Sequence, residues 1–261
     1  MLLAIDVGNT NIVLGVFEGE LLTESWRLVT MRERTADEVG ILVTHLFARS
    51  DIDIAAIDGI ILSSVVPPLT RTLEEMCERF FEKRPVTVDP AVNTGMPVLY
   101  KPATDVGADR VVNAVAAYET FGRAEGRPII VVDFGTATTF DAISAKGEYI
   151  GGVICPGIGI SADALFQRAA RLPRVDVRKP PAVIGQTTVT SMQSGLFFGY
   201  VAMVDGIVSR MRDELEGGTE AMCIATGGMA DVLAADTSAI QRVEPDLTLQ
   251  GLRLIWERNR T

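Results

Sequence analysis

The stretch LLAIDVGNT at residues 2–10 decides the fold, because a similar stretch, IIVVDFGTA, stands at residues 129–137. Each copy has four apolar residues, then an Asp-x-Gly triplet, then small hydroxyl or amide residues. A short apolar run that ends at glycine predicts a buried strand followed by a turn. In both halves a second strand-like stretch follows and reaches a Gly-Glu turn, at residues 19–20 and 147–148. The repeat therefore predicts two duplicated domains.

Each copy ends in an aspartate, Asp6 or Asp133, and the glycine two residues later lets a ligand approach the backbone. A carboxylate in this position can hold Mg²⁺ beside nucleotide phosphates, directly or through water. An Asx turn that closes a hairpin is the alternative for a single copy. Two such turns at strand ends are hard to explain by turn chemistry alone, so the pair predicts an ATP site.

Composition fits a protein with two folded domains. The chain has 261 residues, of which 48% are hydrophobic and 22% charged, which is typical of a globular protein that buries sizeable cores. No stretch reaches the roughly 18 uncharged apolar residues that a spanning helix needs, and Asp6 interrupts the apolar start where a signal peptide would continue. We expect a soluble, cytoplasmic protein.

The formal charge of −10 argues against nucleic acid or an anionic membrane as the main partner. The short basic segment at residues 32–34 is interpreted as solvated surface. Cys77, Cys155 and Cys223 are far apart, which favours reduced thiols over a disulfide framework or a zinc site. The single histidine, His45, is expected on a helix surface rather than in catalysis.

Apolar periodicity predicts alternating strands and helices. The predicted strands are 2–6, 11–17, 21–27, 58–63, 85–88, 128–133, 138–144, 149–154, 222–226 and 241–244. The predicted helices are 36–49, 68–82, 111–118, 158–169, 190–215 and 246–257. The first of these helices should begin after Thr35, and the third should have Asp105 as its N-cap.

The tetrapeptide Gly107-Ala108-Asp109-Arg110 is a candidate substrate segment. An arginine in the first turn of a helix opposes the helix dipole, which favours a ligand role for Arg110. An acid that deprotonates an alcohol and a guanidinium that binds an anionic acceptor would suit phosphoryl transfer. An ordinary charged helix start is the alternative.

Two glycine-rich segments complete the pattern. GGVICPGIG at residues 151–159 runs into a helix whose N-terminus could face an anion. ATGGMA at residues 225–230 ends a strand with a glycine pair that would admit a base or ribose. Tight connections required by packing would explain either segment equally well.

In this order, the motifs resemble those of type III pantothenate kinases, within the superfamily of acetate kinases, sugar kinases, Hsp70 and actin. The resemblance runs from Met1 to about residue 257. Its motifs are DVGNT at 6–10, GADR at 107–110, DFGTATT at 133–139, GGVICPG at 151–157, TTVTSMQSG at 187–195 and TGGMA at 226–230. One departure is Gln186-Thr187, which stands where a Lys-Asn-like pair is expected.

The resemblance implies an α/β fold of two duplicated ribonuclease-H-like (actin-like ATPase) domains, with mixed β-sheets flanked by helices. The domains would be residues 1–122 and 123–261, with ATP in the cleft between them. The residues implied for ATP are Asp6, Val7, Gly8, Asn9, Thr10, Asn11, Ile12, Val13, Thr136, Gly227 and Gly228. Those implied for pantothenate are Tyr100, Gly107, Ala108, Asp109, Arg110 and Thr188.

The implied reaction is ATP-dependent phosphorylation of pantothenate to 4′-phosphopantothenate, the first step of coenzyme A biosynthesis. Asp109 would be the proton acceptor, Asp133 would bind K⁺ or NH₄⁺, and Asp6 would serve Mg²⁺. A homodimer is implied, with helix 190–215 as candidate interface or, alternatively, as a core helix. Two other functions stay open: another small-molecule kinase of the superfamily, or a non-catalytic ATP-binding regulator.

Overall fold

The computed structural model describes residues 1–260, which form two compact units. In chain order the strands are β1 (Leu2–Val7), β2 (Asn11–Glu18), β3 (Leu21–Val29), β4 (Gly59–Ser64), β5 (Val86–Thr87), β6 (Ile129–Phe134), β7 (Ala137–Ile143), β8 (Tyr149–Pro156), β9 (Met222–Thr226) and β10 (Arg242–Val243). The helices are α1 (Ala36–Arg49), α2 (Pro67–Phe81), α3 (Ala108–Ala117), α4 (Ile158–Arg168), α5 (Thr188–Glu214), α6 (Ala230–Ala234) and α7 (Leu247–Asn259).

The first unit is built on a sheet with the order β3-β2-β1-β4-β5. Strands β1 to β3 are antiparallel neighbours, whereas β4 runs parallel to β1, and β5 parallel to β4. Alternate side chains of β1, such as Leu3 and Ile5, pack in one core with Val43 of α1 and Leu73 of α2. Burial of this apolar surface is the main force that holds α1 and α2 on the sheet.

The second unit repeats this arrangement with the order β10-β9-β6-β7-β8. Strands β6 to β8 are antiparallel neighbours, and β9 and β10 continue the sheet in parallel. The long helix α5 covers one face through residues such as Phe197, Val204 and Val208, which are fully buried. Read from β8, the strand order matches that of the first sheet. The predicted duplicated α/β fold with mixed sheets is confirmed.

The compact units differ from the domain ranges expected from the sequence. The first unit consists of Met1–Met96, Tyr100–Ala116 and the chain from Leu247 onward, and the second of Pro97–Leu99 and Ala117–Asp246. Helix α7 therefore belongs with the first sheet, because Gly59 of β4 leaves room for the ring of Trp256. The expected division into functional domains at residues 122 and 123 stays a prediction.

Local signals placed several helix starts correctly. Thr35 caps α1: its side chain accepts a hydrogen bond from the backbone N–H of Glu38, whose carboxylate accepts from the N–H of Thr35. This reciprocal capping box is one of the strongest sequence signals for a helix start. Helix α2 begins with the proline pair Pro67-Pro68, as proline favours the first helical positions. His45 lies exposed on α1, as expected.

The predicted N-cap of α3 was wrong. Asp105 ends a separate 3₁₀ turn, Ala103–Asp105, and α3 begins only at Ala108. The reason is the extended conformation of Val106, with φ −78° and ψ 125°, which interrupts the helical path between the two elements. Asp109 still lies in the first turn of α3, as expected.

Within residues 1–260, no helix combines the length and the apolar character that crossing a membrane requires.

Candidate active site

The turn after β1 is tight and exposed at its tip. The backbone N–H of Gly8 donates to the carbonyl of Asn11 at 2.9 Å, so the chain reverses within four residues. Asn9 and Thr10 are exposed, while Asp6 is partly exposed at the end of the strand. The turn can therefore present a carboxylate, an amide and a hydroxyl to a ligand.

Two residues of segment 6–13, Val7 and Ile12, are buried and could contact a ligand only through their backbone. The side chains of Val7 and Ile12 belong to the first core, and the two residues are directly paired across β1 and β2. A nucleotide at this turn would therefore meet their backbone rather than their side chains. Their buried side chains anchor the end of β1 and the start of β2, which flank the turn.

Asp109 lies at the same end of the first sheet as this turn. The backbone N–H of Val65 donates to the carbonyl of Val7 at 3.0 Å. A Cβ atom built on Gly107 would lie 3.8 Å from the Val65 side chain and 2.6 Å from Oδ1 of Asp109. Glycine at 107 thus leaves space that the Asp109 carboxylate uses, and contacts through Val65 connect the segment to the end of β1.

The surroundings of Asp109 change its acidity. Burial raises the pKa of its carboxyl above the usual value, against the smaller lowering effects of the Arg110 backbone N–H and guanidinium charge. That N–H donates to Oδ1 at 2.8 Å, and Arg110 itself is only 8% exposed. A carboxylate with a raised pKa, held at a helix start, is a suitable proton acceptor.

The second unit brings its own two predicted loops together. Strands β6 and β9 are parallel with Asp133 beside Thr226, so Gly227 follows at the same sheet edge as Asp133. A Cβ on Gly227 would lie 2.5 Å from Oδ1 of Asp133. The glycine, at φ +91°, therefore lets the backbone pass directly beside the carboxylate.

The turn around Thr136 lies against the start of α4. The backbone N–H of Gly157, which precedes α4, donates to the carbonyl of Thr136 at 3.1 Å. A Cβ on Gly157 would lie only 2.2 Å from that carbonyl oxygen, so only glycine fits without movement. Packing is therefore a sufficient explanation for glycine at position 157, and the N-terminus of α4 lies beside the turn that joins β6 to β7.

Thr188 is the first residue of α5, and its neighbour Thr187 caps the helix. The Thr187 hydroxyl accepts a hydrogen bond from the backbone N–H of Thr190 at 3.1 Å, and the Thr190 hydroxyl accepts from that of Thr187 at 3.0 Å. Helix capping thus explains why threonine is suitable at position 187, where the family pattern leads one to expect an Asn-like residue. Thr188 belongs to the second unit and Tyr100 to the first, so the predicted substrate-binding residues are divided between the units.

The two candidate metal residues, Asp6 and Asp133, suit ions whose remaining ligands come mainly from a bound nucleotide. Among residues 1–260, no group of three or more His, Cys, Asp or Glu side chains is positioned to hold a metal. Mg²⁺ in kinases is commonly bound by one or two carboxylates together with phosphate oxygens, which matches Asp6 at an exposed turn. The carboxylate of Asp133, directly beside the backbone at Gly227, offers oxygens of the kind that a monovalent cation needs.

Comparisons with known proteins agree with one another. The profile of the type III pantothenate kinase family matches residues 2–210. A type III pantothenate kinase from Myxococcus xanthus (strain DK1622) is 57% identical over 259 residues, covering 99% of each chain. A further protein of that name, from Anaeromyxobacter sp. (strain K), is 55% identical over 260 residues, covering 100% of each chain.

A solved structure shares the fold at low sequence identity. A candidate Baf family transcriptional activator from Campylobacter jejuni superposes with a TM-score of 0.62 at 19% identity, covering 98% of each chain. At this identity the likeness concerns the fold alone. The family match spans most of the chain and the sequence relatives cover nearly all of it. This chain is a kinase that belongs to the type III pantothenate kinase family.

Proposed function

We propose that the chain transfers the γ-phosphoryl group of ATP to the primary hydroxyl of pantothenate, giving 4′-phosphopantothenate at the first step of coenzyme A biosynthesis. The observation that carries the residue assignment is the Asp109 carboxylate, whose pKa is raised by burial at the start of α3. Family membership indicates pantothenate as the substrate. The Asp109 carboxylate is the group that can accept the proton of its hydroxyl.

Asp109 acts as the proton acceptor. Phosphoryl transfer depends mostly on in-line positioning and on neutralisation of charge around the transferred group. The carboxylate orients the hydroxyl of pantothenate and takes its proton late in the reaction. General base catalysis of this kind contributes on the order of 10²–10⁴ in rate.

ATP is held by the turns that follow β1, β6 and β9. In the first unit, residues 6–13 offer the backbone donors and polar side chains of an exposed turn. In the second, Thr136, Gly227 and Gly228 are the proposed contacts, supported by the position of Gly227 beside Asp133 and of Thr136 beside the start of α4. Glycine at these turns permits close approach of phosphate or ribose.

Two ions belong to the proposal. Mg²⁺ at Asp6 and K⁺ or NH₄⁺ at Asp133 would supply positive charge to the phosphate chain when bound. Asp6 lies partly exposed at a strand end, and Asp133 lies beside the backbone of Gly227. Both residues are partly exposed and offer carboxylate oxygens, the ligands that these hard cations prefer.

Pantothenate is proposed to contact Tyr100, the segment 107–110 and Thr188. Arg110 is nearly buried and carries a permanent charge, so it suits the carboxylate or an acceptor oxygen of pantothenate. Asp109 lies next to it in the same helical turn. The two residues can thus contact one ligand from neighbouring positions in α3.

We place the enzyme in the cytoplasm as a homodimer. Free thiols at Cys77, Cys155 and Cys223 fit a reducing compartment. Exposed apolar side chains of the second unit support self-association, and they include Ile154, Ile160, Leu165, Phe166, Val183 and Ile184. Light scattering coupled to size-exclusion chromatography tests the dimer directly.

The test of the reaction is ADP release from ATP and Mg²⁺, with and without pantothenate, in K⁺ and then in Na⁺ buffer. Release that needs both pantothenate and K⁺ supports the substrate and the cation site together. Release with pantothenate in either buffer retains the kinase and removes the K⁺ requirement. ADP release that does not depend on pantothenate contradicts the proposal, and so does a complete lack of ADP release. Either result points to another acceptor or to a nucleotide-binding regulator.

A further inference from the structure

The loop between β3 and α1 is fastened to the turn after β1. The backbone N–H of Thr30 donates to the carbonyl of Thr10 at 2.9 Å. The hydroxyl of the same threonine donates to the carbonyl of Gly8 at 2.7 Å. Two hydrogen bonds from one residue therefore hold the start of this loop against both sides of the proposed phosphate turn.

Arg32 extends from the fastened loop over the tip of the turn. Its Nη2 lies 3.5 Å from Oδ1 of Asn9, at the outer limit of a hydrogen bond. In the part of the chain that the structure describes, no carboxylate forms an ion pair with Arg32. Arg79 and Arg123, by comparison, pair with nearby acids. An exposed guanidinium thus lies beside the proposed phosphate turn and forms no ion pair in the described part of the chain, whose net charge is −10.

Arg34, two residues further on, is in a different electrostatic position. The pKa of the Glu38 carboxyl is lowered, first by the Thr35 backbone N–H, then by the Thr35 hydroxyl, and to the smallest extent by the charge of Arg34. Arg34 is also half-buried, with its Nη1 shielded from solvent, whereas Arg32 is exposed. Of the two arginines in this loop, Arg32 is the one whose charge is available to a ligand at the turn.

We propose that Arg32 binds oxygens of the ATP polyphosphate chain. This inference rests on the proposed function, because it adds a binding residue to the same nucleotide site. The planar guanidinium can donate two parallel hydrogen bonds to phosphate oxygens, and the Thr30 hydrogen bonds hold its loop close to the turn. The interpretation of residues 32–34 as mere solvated surface is thereby replaced for Arg32.

The test compares Arg32→Gln and Arg32→Lys with Arg49→Gln. Arg49 is exposed at the far end of α1, about 21 Å along a 14-residue helix, so its replacement removes the same charge away from the turn. Calorimetric titration with ATP and Mg²⁺ measures the Kd. Steady-state assays measure KM for ATP and for pantothenate separately.

Hydrogen bonds between a guanidinium and phosphate oxygens are among the stronger ones, so Arg32→Gln should raise both the Kd and the KM for ATP at least about tenfold. Arg32→Lys should retain part of the affinity, and KM for pantothenate should stay unchanged. Thermal unfolding serves as the folding check, because an exposed side chain should not affect it. Arg49→Gln should match the wild type throughout.

Two outcomes overturn the inference in distinguishable ways. If the wild type binds ATP and Arg32→Gln binds it as tightly as Arg49→Gln does, Arg32 is not a phosphate ligand, and the proposed function is unaffected. If the wild type itself binds no ATP, the proposed function fails and the inference fails with it.

Discussion

Gly227 lies directly against the carboxylate of Asp133. A Cβ atom built on this glycine would fall 2.5 Å from Oδ1 of Asp133 and 2.7 Å from the backbone nitrogen of Phe134. The parallel pairing of β6 and β9 causes this proximity, because it places the ends of both strands at one edge of the second sheet. Two segments that are far apart in sequence thus form a single corner of the proposed site.

Replacement of Gly227 by alanine should therefore impair the cation site. The residue has φ +91°, a conformation that side chains rarely adopt, and the new methyl group would displace Asp133 or the turn. We expect the K⁺ concentration for half-maximal activity and the KM for ATP both to rise at least about tenfold, a 1.4 kcal/mol effect of strain and displacement. Titration of activity with K⁺ measures the first quantity.

The matched control is Gly199→Ala in α5 of the same unit, where an added Cβ meets nothing within 4 Å. Alanine is the better helix former, so this variant should fold normally and keep the wild-type K⁺ dependence. An unchanged K⁺ titration in Gly227→Ala would show that Asp133 does not hold the cation.

Asp109→Asn should reduce kcat at least about 100-fold, since the amide cannot accept the hydroxyl proton. The shape and hydrogen-bonding surface of the residue are largely preserved, so calorimetry should still detect pantothenate binding. Asp105→Asn is the matched control, because Asp105 lies exposed in the preceding 3₁₀ turn. Near-normal turnover in Asp109→Asn would remove this residue from the role, and a loss in Asp105→Asn alone would transfer the role to Asp105.

The raised pKa of Asp109 also predicts the pH dependence of the rate. Burial makes its carboxyl hold the proton to a higher pH than an ordinary aspartate does. The base is inactive when protonated, so kcat/KM should fall on the acid side with an apparent pKa above 3.8, the ordinary value. The measurement is kcat/KM for pantothenate at saturating ATP across this acid range. An acid limb at or below the ordinary value would contradict the assignment.

The same shift predicts a gain in stability when the charge is removed. Because the folded-state pKa of Asp109 exceeds the unfolded-state value, ionisation opposes folding, and its full cost applies above the folded-state pKa. Asp109→Asn should therefore be more stable than the wild type at pH 7. The difference in free energy of unfolding should shrink as the pH falls toward 3.8. Urea denaturation at several pH values measures it, and a variant that is less stable at pH 7 would contradict the shift.

Features encoded in short segments were predictable from the sequence. The apolar runs before Asp6 and Asp133 predicted two equivalent strands, and the Thr35-Glu38 pair predicted the start of α1. In each case neighbouring residues supply both the signal and the interaction that stabilises the structure. The start of α3 differs from the predicted one, since the extended Val106 overrides the capping preference of Asp105.

Relationships between distant segments were not predictable in this way. The contact of Arg32 with Asn9 depends on how a loop folds over a turn, and the pattern of charges alone indicated only a solvated surface. The assignment of α7 to the first unit depends on Trp256 fitting against Gly59. The sequence pattern within either segment does not predict such a contact, because shape complementarity between distant segments depends on the folded structure.

The fit of Trp256 against Gly59 gives a direct test of that packing. A Cβ on Gly59 would lie 2.0 Å from the Trp256 ring, so Gly59→Ala should destabilise the protein by about 1–3 kcal/mol through overpacking. Trp256→Phe shortens the ring and should relieve part of the clash, so the double variant should lose less stability than the two single variants added together. Urea denaturation of all four proteins measures this coupling. Strict additivity, or a Gly59→Ala variant as stable as the wild type, would show that α7 does not pack on β4 in this way.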